Sequence, residues 1–241
     1  MIGPVESEAG PIARAKTANF DHLARIYRWM EYATFGPYLA SCRFTFLSEV
    51  ATCRRALVIG DGDGRFTAEL LRVNRSVEIE AVDASQAMLD ALLRHAGVQA
   101  ARVNAYCVDV RNWRPVNAPY DLVVTHFFLD CLSTDEVCAM AKKLQDVLLW
   151  NARWIISEFT VPHSPLGRFV ARPIVWLLYR AFRILTGLRV QCLPAYGDAL
   201  ESCGFSLLRT RTLLGGLVSG ELWSWGDGRV QNPDITFLLK S

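Results

Sequence analysis

The stretch "ALVIGDGDGRF", residues 56–66, places Gly60, Gly62 and Gly64 directly after a short apolar run. Such a run is typical of a buried strand, and residues 65–72 after the glycines have the spacing of a helix. Glycines at this point permit tight turns and let a ligand approach the backbone, while the first N–H groups of the helix point into the same space. The stretch therefore predicts a strand, a nucleotide-type loop and a helix.

The spacing of the glycines separates one kind of nucleotide loop from another. A dinucleotide-binding loop has the pattern G-x-G-x-x-G, and its third glycine would fall at position 65, where this chain has Arg65. The carboxylates of Asp61 and Asp63 would repel a pyrophosphate, whereas they suit a ligand with a cationic or donor-rich end. No G-K-[ST] follows, which excludes a P-loop. A nicotinamide-dependent oxidoreductase therefore stays an alternative that the loop disfavours.

Apolar runs and helical stretches alternate along the chain after the loop. The strand-like runs are 56–60, 77–83, 102–109, 121–127 and 153–159, and the helix-like stretches are 65–72, 85–95 and 134–151. This alternation predicts a parallel sheet with right-handed crossovers. Two more strands, 204–214 and 234–240, would form an antiparallel pair, with Trp223 and Trp225 in the connection between them. We therefore predict an α/β fold: a Rossmann-like, seven-stranded, mostly parallel sheet with an antiparallel last strand pair, helices on both faces and an N-terminal helical cap.

Polar residues stand where the predicted strands end. Asp83 ends the second strand, where an acid can accept both hydroxyls of a ribose. Asp109 ends the third strand and could accept from the amino group of an adenine, and Ala84 and Val110 follow these two acids. His126 lies at the end of the fourth strand. Because parallel strands end at one edge of the sheet, we expect these residues to surround the glycine loop.

The glycine loop, Asp83, Asp109 and the run "YDLVV" at 120–124 resemble, in order and spacing, the class I S-adenosylmethionine-dependent methyltransferases. The resemblance implies S-adenosylmethionine as the cofactor and transfer of its methyl group to an O, N or C atom of an apolar or amphipathic small molecule. It implies no metal. The residues implied to bind the cofactor are Gly60, Asp61, Gly62, Gly64, Asp83, Ala84, Asp109, Val110 and His126.

The flanking segments are similar to those of the small-molecule, quinone-methylating branch of this family. In this interpretation residues 1–50 form an N-terminal arm and helical cap, and residues 51–241 form the methyltransferase domain. Residues 162–195 would be an inserted amphipathic lid segment. Tyr27 and Tyr32 in the cap are predicted to reach the bound small molecules.

Position 58 departs from the family pattern. The family carries an acid two residues before the first loop glycine, and this chain has Val58 there. Asp61 could substitute for that acid from within the loop. The departure keeps a second alternative open, a non-catalytic subunit that binds S-adenosylmethionine in support of a partner enzyme.

His126 is the predicted catalytic residue. A neutral imidazole at the end of a buried strand could take a proton from a phenol, an enol or an amine. Asp130 lies four residues further on and could pair with His126, and Glu158 ends the next strand. Asp130 and Glu158 are therefore predicted to face the substrate.

The segment "RPIVWLLYRAFRILTG", residues 172–187, has the pattern of a basic amphipathic helix with a wide apolar face. Three interpretations are open: a helix packed on the sheet, a lid over a lipid-like or aromatic substrate, and a helix that lies on a membrane surface through residues 168–187.

Charge and cysteine content limit the class of protein. The net charge is +2, from 26 basic and 24 acidic residues, which predicts no strong binding to nucleic acid. An RNA methyltransferase remains a weaker variant that would depend on the arginines of 168–183. The seven cysteines include no C-x-x-C pair, and no uncharged apolar run is long enough to span a bilayer. These features predict a cytoplasmic protein, and the basic helix allows a position at the inner face of a membrane.

Overall fold

The computed structural model of the chain describes residues 36–160 and 194–226. Several predictions lie outside these residues and stay predictions. They concern the N-terminal arm with Tyr27 and Tyr32, nearly all of the inserted segment, and the strand at 234–240.

In the described part of the chain seven strands form one mixed sheet in the order β3-β2-β1-β4-β5-β7-β6. The first five strands are parallel, and β7 pairs antiparallel with both β5 and β6. The strands are β1 Arg55–Ile59, β2 Glu78–Asp83, β3 Val103–Cys107, β4 Tyr120–His126, β5 Leu148–Phe159, β6 Phe205–Leu213 and β7 Val218–Trp225. The predicted Rossmann-like sheet with an antiparallel last pair is confirmed.

Helices cover both faces of this sheet, as predicted. The α-helices are α1 Gly36–Arg43, α2 Arg65–Val73, α3 Gln86–Ala96, α4 Thr134–Gln145 and α5 Tyr196–Ser202. Alternate residues of β1 enter two separate cores: Ala56 and Val58 pack on the side of α2 and α3, and Leu57 and Ile59 on the side of α4 and α5. This period of two is what a strand buried on both faces requires.

Helix α4 is shorter than the predicted stretch 134–151. It begins with a capping box in which Ser133 and Glu136 satisfy each other's backbone N–H groups, and it ends at Gln145. Residues 148–151 are the start of β5, where Leu148 pairs with Tyr120 of β4. The apolar run "VLLW" is compatible with a helix or a strand. It forms a strand here because it pairs with β4.

The antiparallel partner of β6 is not the segment predicted for it. Among the described residues β6 pairs with β7, which contains Trp223 and Trp225, predicted to lie in a connection. A Cβ atom on Gly220 would lie 3.3 Å from the carbonyl oxygen of Cys42, so this glycine lets α1 pack closely on the strand. The glycine therefore marks a close approach of backbone rather than a turn.

The sheet order creates the crevice in which a site can form. Strand β1 lies between β2 and β4, so the connections after β1 and β4 leave the same edge in opposite directions. Ligands of such folds bind at this switch point, outside the carboxyl ends of the strands. The glycine loop follows β1 at that position.

Candidate active site

The three loop glycines all have positive φ but differ in their surroundings. The φ angles of Gly60, Gly62 and Gly64 are 68°, 62° and 80°. A Cβ atom on Gly60 would lie 2.5 Å from the ring of Phe128, and one on Gly64 would lie 2.4 Å from the side chain of Leu92. Beside Gly62 there is nothing within 4 Å. Packing therefore requires Gly60 and Gly64, and Gly62 is the position that leaves space for a ligand.

Asp61 is buried within the loop, at 4% exposure. Its Oδ2 accepts hydrogen bonds from the backbone N–H of Thr67 at 2.9 Å and from the Thr67 hydroxyl at 2.7 Å. No described residue donates to its buried Oδ1. Burial raises the pKa of Asp61 to about 6, although the bonds from Thr67 oppose the shift. One oxygen is thus held in place while the other lacks a donor.

Val58 lies in the apolar core and not in the crevice. Its side chain is 1% exposed and packs in the core on the side of α2. A carboxylate at position 58 would point into that apolar core in this structure. Asp61 is the acid nearest to the end of β1. Thr67 fixes its Oδ2, and its Oδ1 has no donor among the described residues.

The pKa of Asp61 gives a first expected result. Its folded pKa of about 6 exceeds the model-compound value of 3.8, so its contribution to stability is present at low pH and is lost as pH rises through about 6. We expect Asp61→Asn to be more stable than the wild type by about 3 kcal/mol at pH 8, with the difference vanishing near pH 4. Urea unfolding at the two pH values measures this. Lower stability of Asp61→Asn at pH 8 would mean that the charge itself holds the loop.

Asp83 ends β2 and is half-buried beside the glycine loop. The backbone N–H of Ser85 donates to its Oδ1 at 2.8 Å. Burial raises the pKa of Asp83 to about 6, and the charge of Asp61 adds to the shift. Ser85, rather than Asp83, caps α3, because its hydroxyl accepts from the N–H of Met88. Asp83 is therefore not needed to cap α3.

Asp109 and Val110 follow β3, on the outer side of Asp83. Asp109 is paired with Arg111, with 3.2 Å between Oδ2 and Nη1, and Arg111 also binds Glu136 of α4. Val110 is half-buried against the core on the side of α4, whereas Ala84 is exposed at the end of β2. Asp109 is thus held by an ion pair at the edge of the crevice.

His126 is buried at the end of β4, at 2% exposure. Its Nδ1 lies 2.9 Å from the hydroxyl of Ser157, and its ring packs edge-on against Phe66 with 4.7 Å between the centroids. Burial lowers the pKa of His126 well below its usual value, so the ring is neutral. Within residues 36–160 and 194–226 its Nε2 has no hydrogen-bond partner. The predicted pair with Asp130 is not formed, because Ser157 takes its place.

Glu158 lies on the opposite face of the sheet from His126, since the register pairs His126 with Ser157, its neighbour. It is 1% exposed, and its Oε1 accepts from the N–H groups of Phe128 and Leu129 at 2.9 and 2.7 Å. Its Oε2 is buried without a donor among the described residues. Asp130, half-buried in the same turn, is close enough that its charge adds to the effect of burial and raises the pKa of Glu158 well above its usual value.

Comparison with known proteins agrees with this arrangement. Residues 56–149 match the family described as a methyltransferase domain. The match covers the glycine loop and the strands from β1 to the start of β5. It supports the prediction of a methyltransferase domain around the glycine loop. No curated protein matches the sequence significantly.

Solved structures with this fold include several methyltransferases. The Burkholderia thailandensis 1,6-didemethyltoxoflavin-N1-methyltransferase, solved with 1,6-didemethyltoxoflavin and S-adenosylhomocysteine, is 16% identical, with a TM-score of 0.60 over 93% of this chain and 95% of that chain. An O-methyltransferase family protein from the same organism is 16% identical, with a TM-score of 0.61 over 90% of this chain and 61% of that chain. The pyocyanin biosynthetic protein PhzM is 15% identical, with a TM-score of 0.57 over 78% and 55%. At these identities the likeness establishes the fold, and the chain spans little more than half the length of PhzM.

One residue near the candidate site had no signal in the sequence. Arg43, at the end of α1, lies over the ring of Phe127 at 5.3 Å and lowers the pKa of both Asp61 and His126. Arg43 lies near the site because α1 packs across β7 and β5. These strands are far from α1 in the sequence, so no local motif predicts the contact.

Other classes of site are not seen in the described part of the chain. Within it no three His, Cys, Asp or Glu residues are placed to hold a metal ion. None of the helices in residues 36–160 and 194–226 is long and apolar enough to cross a membrane. The six cysteines of these residues are free thiols.

Proposed function

We propose that the protein transfers a methyl group from S-adenosylmethionine to a small molecule. One observation carries the proposal: a buried oxygen of Asp61 in the glycine loop lacks a donor among the described residues, and Asp83 at the end of the neighbouring strand β2 feels the charge of Asp61. A ligand with a cationic amino group and a ribose satisfies both carboxylates. A buried acceptor without a partner costs about 1–3 kcal/mol, which binding of such a ligand would recover.

Each cofactor-binding residue then has a distinct role. Asp83 accepts the two ribose hydroxyls, and Oδ1 of Asp61 accepts the amino group of the methionine part, in place of an acid at position 58. The backbone at Gly62 lies against the ligand because no side chain occupies that space. Ala84 and Val110 flank the adenine, whose amino group donates to Asp109. When bound, S-adenosylmethionine supplies a methyl group on a sulfonium, which an O, N or C atom of the acceptor displaces.

The acceptor binds beside the turn that follows β4. Phe128 of this turn packs on Gly60 and donates its N–H to Glu158, so the turn connects the glycine loop with the end of β5. We propose an apolar or aromatic acceptor, in keeping with the small molecule bound by the toxoflavin enzyme. Tyr27, Tyr32 and the lid segment 162–195, with its membrane contact through 168–187, remain proposals outside the described residues.

The surroundings of His126 favour a positioning role over the predicted role as the base. Ser157 and Phe66 hold the ring from two sides, and it faces α2 rather than the side of Glu158. In this role His126 supports the end of β4, from which the turn with Phe128 begins. An amide at this position, in His126→Asn, would then reduce turnover modestly rather than abolish it.

Two measurements together test the function against its alternatives. Calorimetric titration of the full chain with S-adenosylhomocysteine and with NADH establishes which cofactor binds. Transfer of label from methyl-tritiated S-adenosylmethionine to a panel of phenols and N–H heteroaromatics then tests catalysis. We expect micromolar binding of S-adenosylhomocysteine alone, and label in at least one acceptor. Preference for NADH would establish an oxidoreductase, and cofactor binding without transfer would favour the non-catalytic subunit.

A further inference from the structure

Glu158 is a buried acid that cofactor binding does not use. Two backbone N–H groups, of Phe128 and Leu129, fix its Oε1 at 2.9 and 2.7 Å. These bonds hold the carboxyl plane against the turn after β4 and leave Oε2 as the only oxygen free to meet a ligand. Oε2 is buried and has no donor within the described residues. A carboxyl oriented in this way at 1% exposure is held ready for a hydrogen-bond donor.

The neighbouring acids differ in their availability. Glu221 of β7 lies on the same face as Glu158, because the register pairs Glu158 with Ser219, two residues before Glu221. Its carboxyl is already engaged: Oε2 accepts from Trp223 at 2.8 Å, and Oε1 accepts from the hydroxyls of Tyr196 and Ser219 at 3.1 and 3.4 Å. Glu221 therefore contributes charge to the cluster but no free acceptor.

Asp130 completes the cluster from the turn after β4. Its Oδ1 is 3.5 Å from the thiol of Cys131, and burial raises the pKa of Asp130 to about 6. Among residues 36–160 and 194–226, the titratable groups that interact with Glu158 are Asp130 and Cys131 on this turn, Glu221 on β7, Tyr196 on α5 and Cys42 on α1. None of them is a cation, so a ligand with a donor group is the natural counterpart.

The cluster is adjacent to the loop that holds the methyl donor in the proposed function. Phe128 provides the connection, because its ring fills the space beside Gly60 while its N–H binds Glu158. A molecule that donates to Oε2 of Glu158 would therefore lie beside the turn after β4, and the same turn packs against the glycine loop.

We propose that Glu158 is a catalytic residue whose Oε2 binds the acceptor through its reactive N–H or O–H group and takes the proton as the methyl is transferred. This inference rests on the proposed function. The electron pair of the acceptor's N or O atom forms the bond to the methyl carbon, and the electrons of the broken C–S bond stay on sulfur, which becomes a neutral thioether. The N–H or O–H proton passes to Oε2, and Asp130 sets the basicity of Glu158 through its charge. The acceptor is accordingly a molecule with an N–H or O–H at the methylated atom.

The test uses the full chain saturated with S-adenosylhomocysteine, titrated calorimetrically with two probes. One probe, 2-aminobenzimidazole, donates through N–H, and the other, catechol, donates through O–H. Comparing them shows which kind of donor Glu158 binds. We expect at least one probe to bind, with a rise in affinity as pH increases above the usual range of a glutamate, because only ionised Glu158 accepts. We expect Glu158→Gln to lose at least 10-fold in affinity and to lose this pH dependence.

Two further variants separate catalysis from structure. Glu78→Gln, at the exposed start of β2, is the matched control and should bind the probes as the wild type does. Asp130→Asn removes a like charge, so the pH at which affinity rises should move downward, an effect that a purely structural role would not produce. This readout also holds if Glu158→Gln does not fold.

The outcomes distinguish this inference from the function on which it rests. Failure of S-adenosylhomocysteine to bind the wild type would overturn the proposed function and the inference with it. Binding of S-adenosylhomocysteine without binding of either probe, or equal binding of a probe to Glu158→Gln, would overturn the inference alone. An unshifted pH profile in Asp130→Asn would do the same.

Discussion

Asp83→Ala is expected to weaken the binding of S-adenosylhomocysteine by at least 100-fold. The carboxylate would accept two ribose hydroxyls, and hydrogen bonds to a charged group contribute about 1.5–3 kcal/mol each. Folding should not suffer, because burial disfavours the charged form of Asp83 and Ser85 caps α3. Calorimetry gives the ratio of the two affinities, and thermal unfolding verifies the fold.

Asp90→Ala is the matched control for this variant. Asp90 is exposed on α3 and binds Gln86, one turn away, so its loss should leave the affinity unchanged. Equal affinities of Asp83→Ala and the wild type would place the ribose elsewhere and remove the main anchor of the proposed site.

The pKa of Asp83 adds a pH dependence to the same measurement. Because burial and the charge of Asp61 raise this pKa to about 6, the carboxylate that accepts the ribose becomes protonated as pH falls through that value. We expect the affinity of the wild type to be constant above about pH 7 and to decrease toward pH 5. In Asp83→Ala this decrease should be smaller, with Asp61 as its remaining source.

Gly64→Ala is expected to destabilise the protein by about 2–4 kcal/mol, the largest effect on folding among the loop variants. The new Cβ would lie 2.4 Å from Cγ and 2.5 Å from the backbone Cα of Leu92. Backbone of α3 cannot move aside cheaply, and overpacking costs about 1–3 kcal/mol. The φ angle of 80° adds about 1–2 kcal/mol for a residue with a side chain.

Gly62→Ala separates folding from binding. It has a similar φ angle, 62°, but nothing within 4 Å of a new Cβ, so only the backbone cost of about 1–2 kcal/mol applies. Its affinity for S-adenosylhomocysteine should nevertheless fall at least 10-fold, since the methyl group would occupy the space left for the ligand. Urea unfolding and calorimetry on both variants measure the contrast. Equal loss of stability in the two variants would contradict the distinct roles assigned to these glycines.

The sheet was largely predictable because buried strands carry a strong signal. The apolar runs around Leu57 and Val123 lie within one residue of the observed strands, and the box formed by Ser133 and Glu136 marks the start of α4 correctly. Strand β7 was not predictable in the same way. Its Gly220 is typical of a connection, but this glycine is needed because α1, far away in the sequence, packs closely on the strand.

The site was predictable as a set of positions but not as a set of contacts. The motif indicates that Asp61 and Asp83 belong to one loop cluster, yet only the structure shows that Thr67 takes one oxygen of Asp61. For Glu158 the sequence predicts only its place at the end of a strand. Its bonds to Phe128 and Leu129 come from the next strand of the sheet, so they depend on strand order rather than on local pattern.

A crystal structure of the full chain with S-adenosylhomocysteine would test the central claim most directly. We predict the ribose hydroxyls within hydrogen-bond distance of Asp83, the methionine amino group on Oδ1 of Asp61, and the backbone of Gly62 in contact with the ligand. Val58 should remain buried beneath α2. A ligand bound away from the glycine loop, or an amino group held by a residue other than Asp61 while Oδ1 still lacks a donor, would contradict the account.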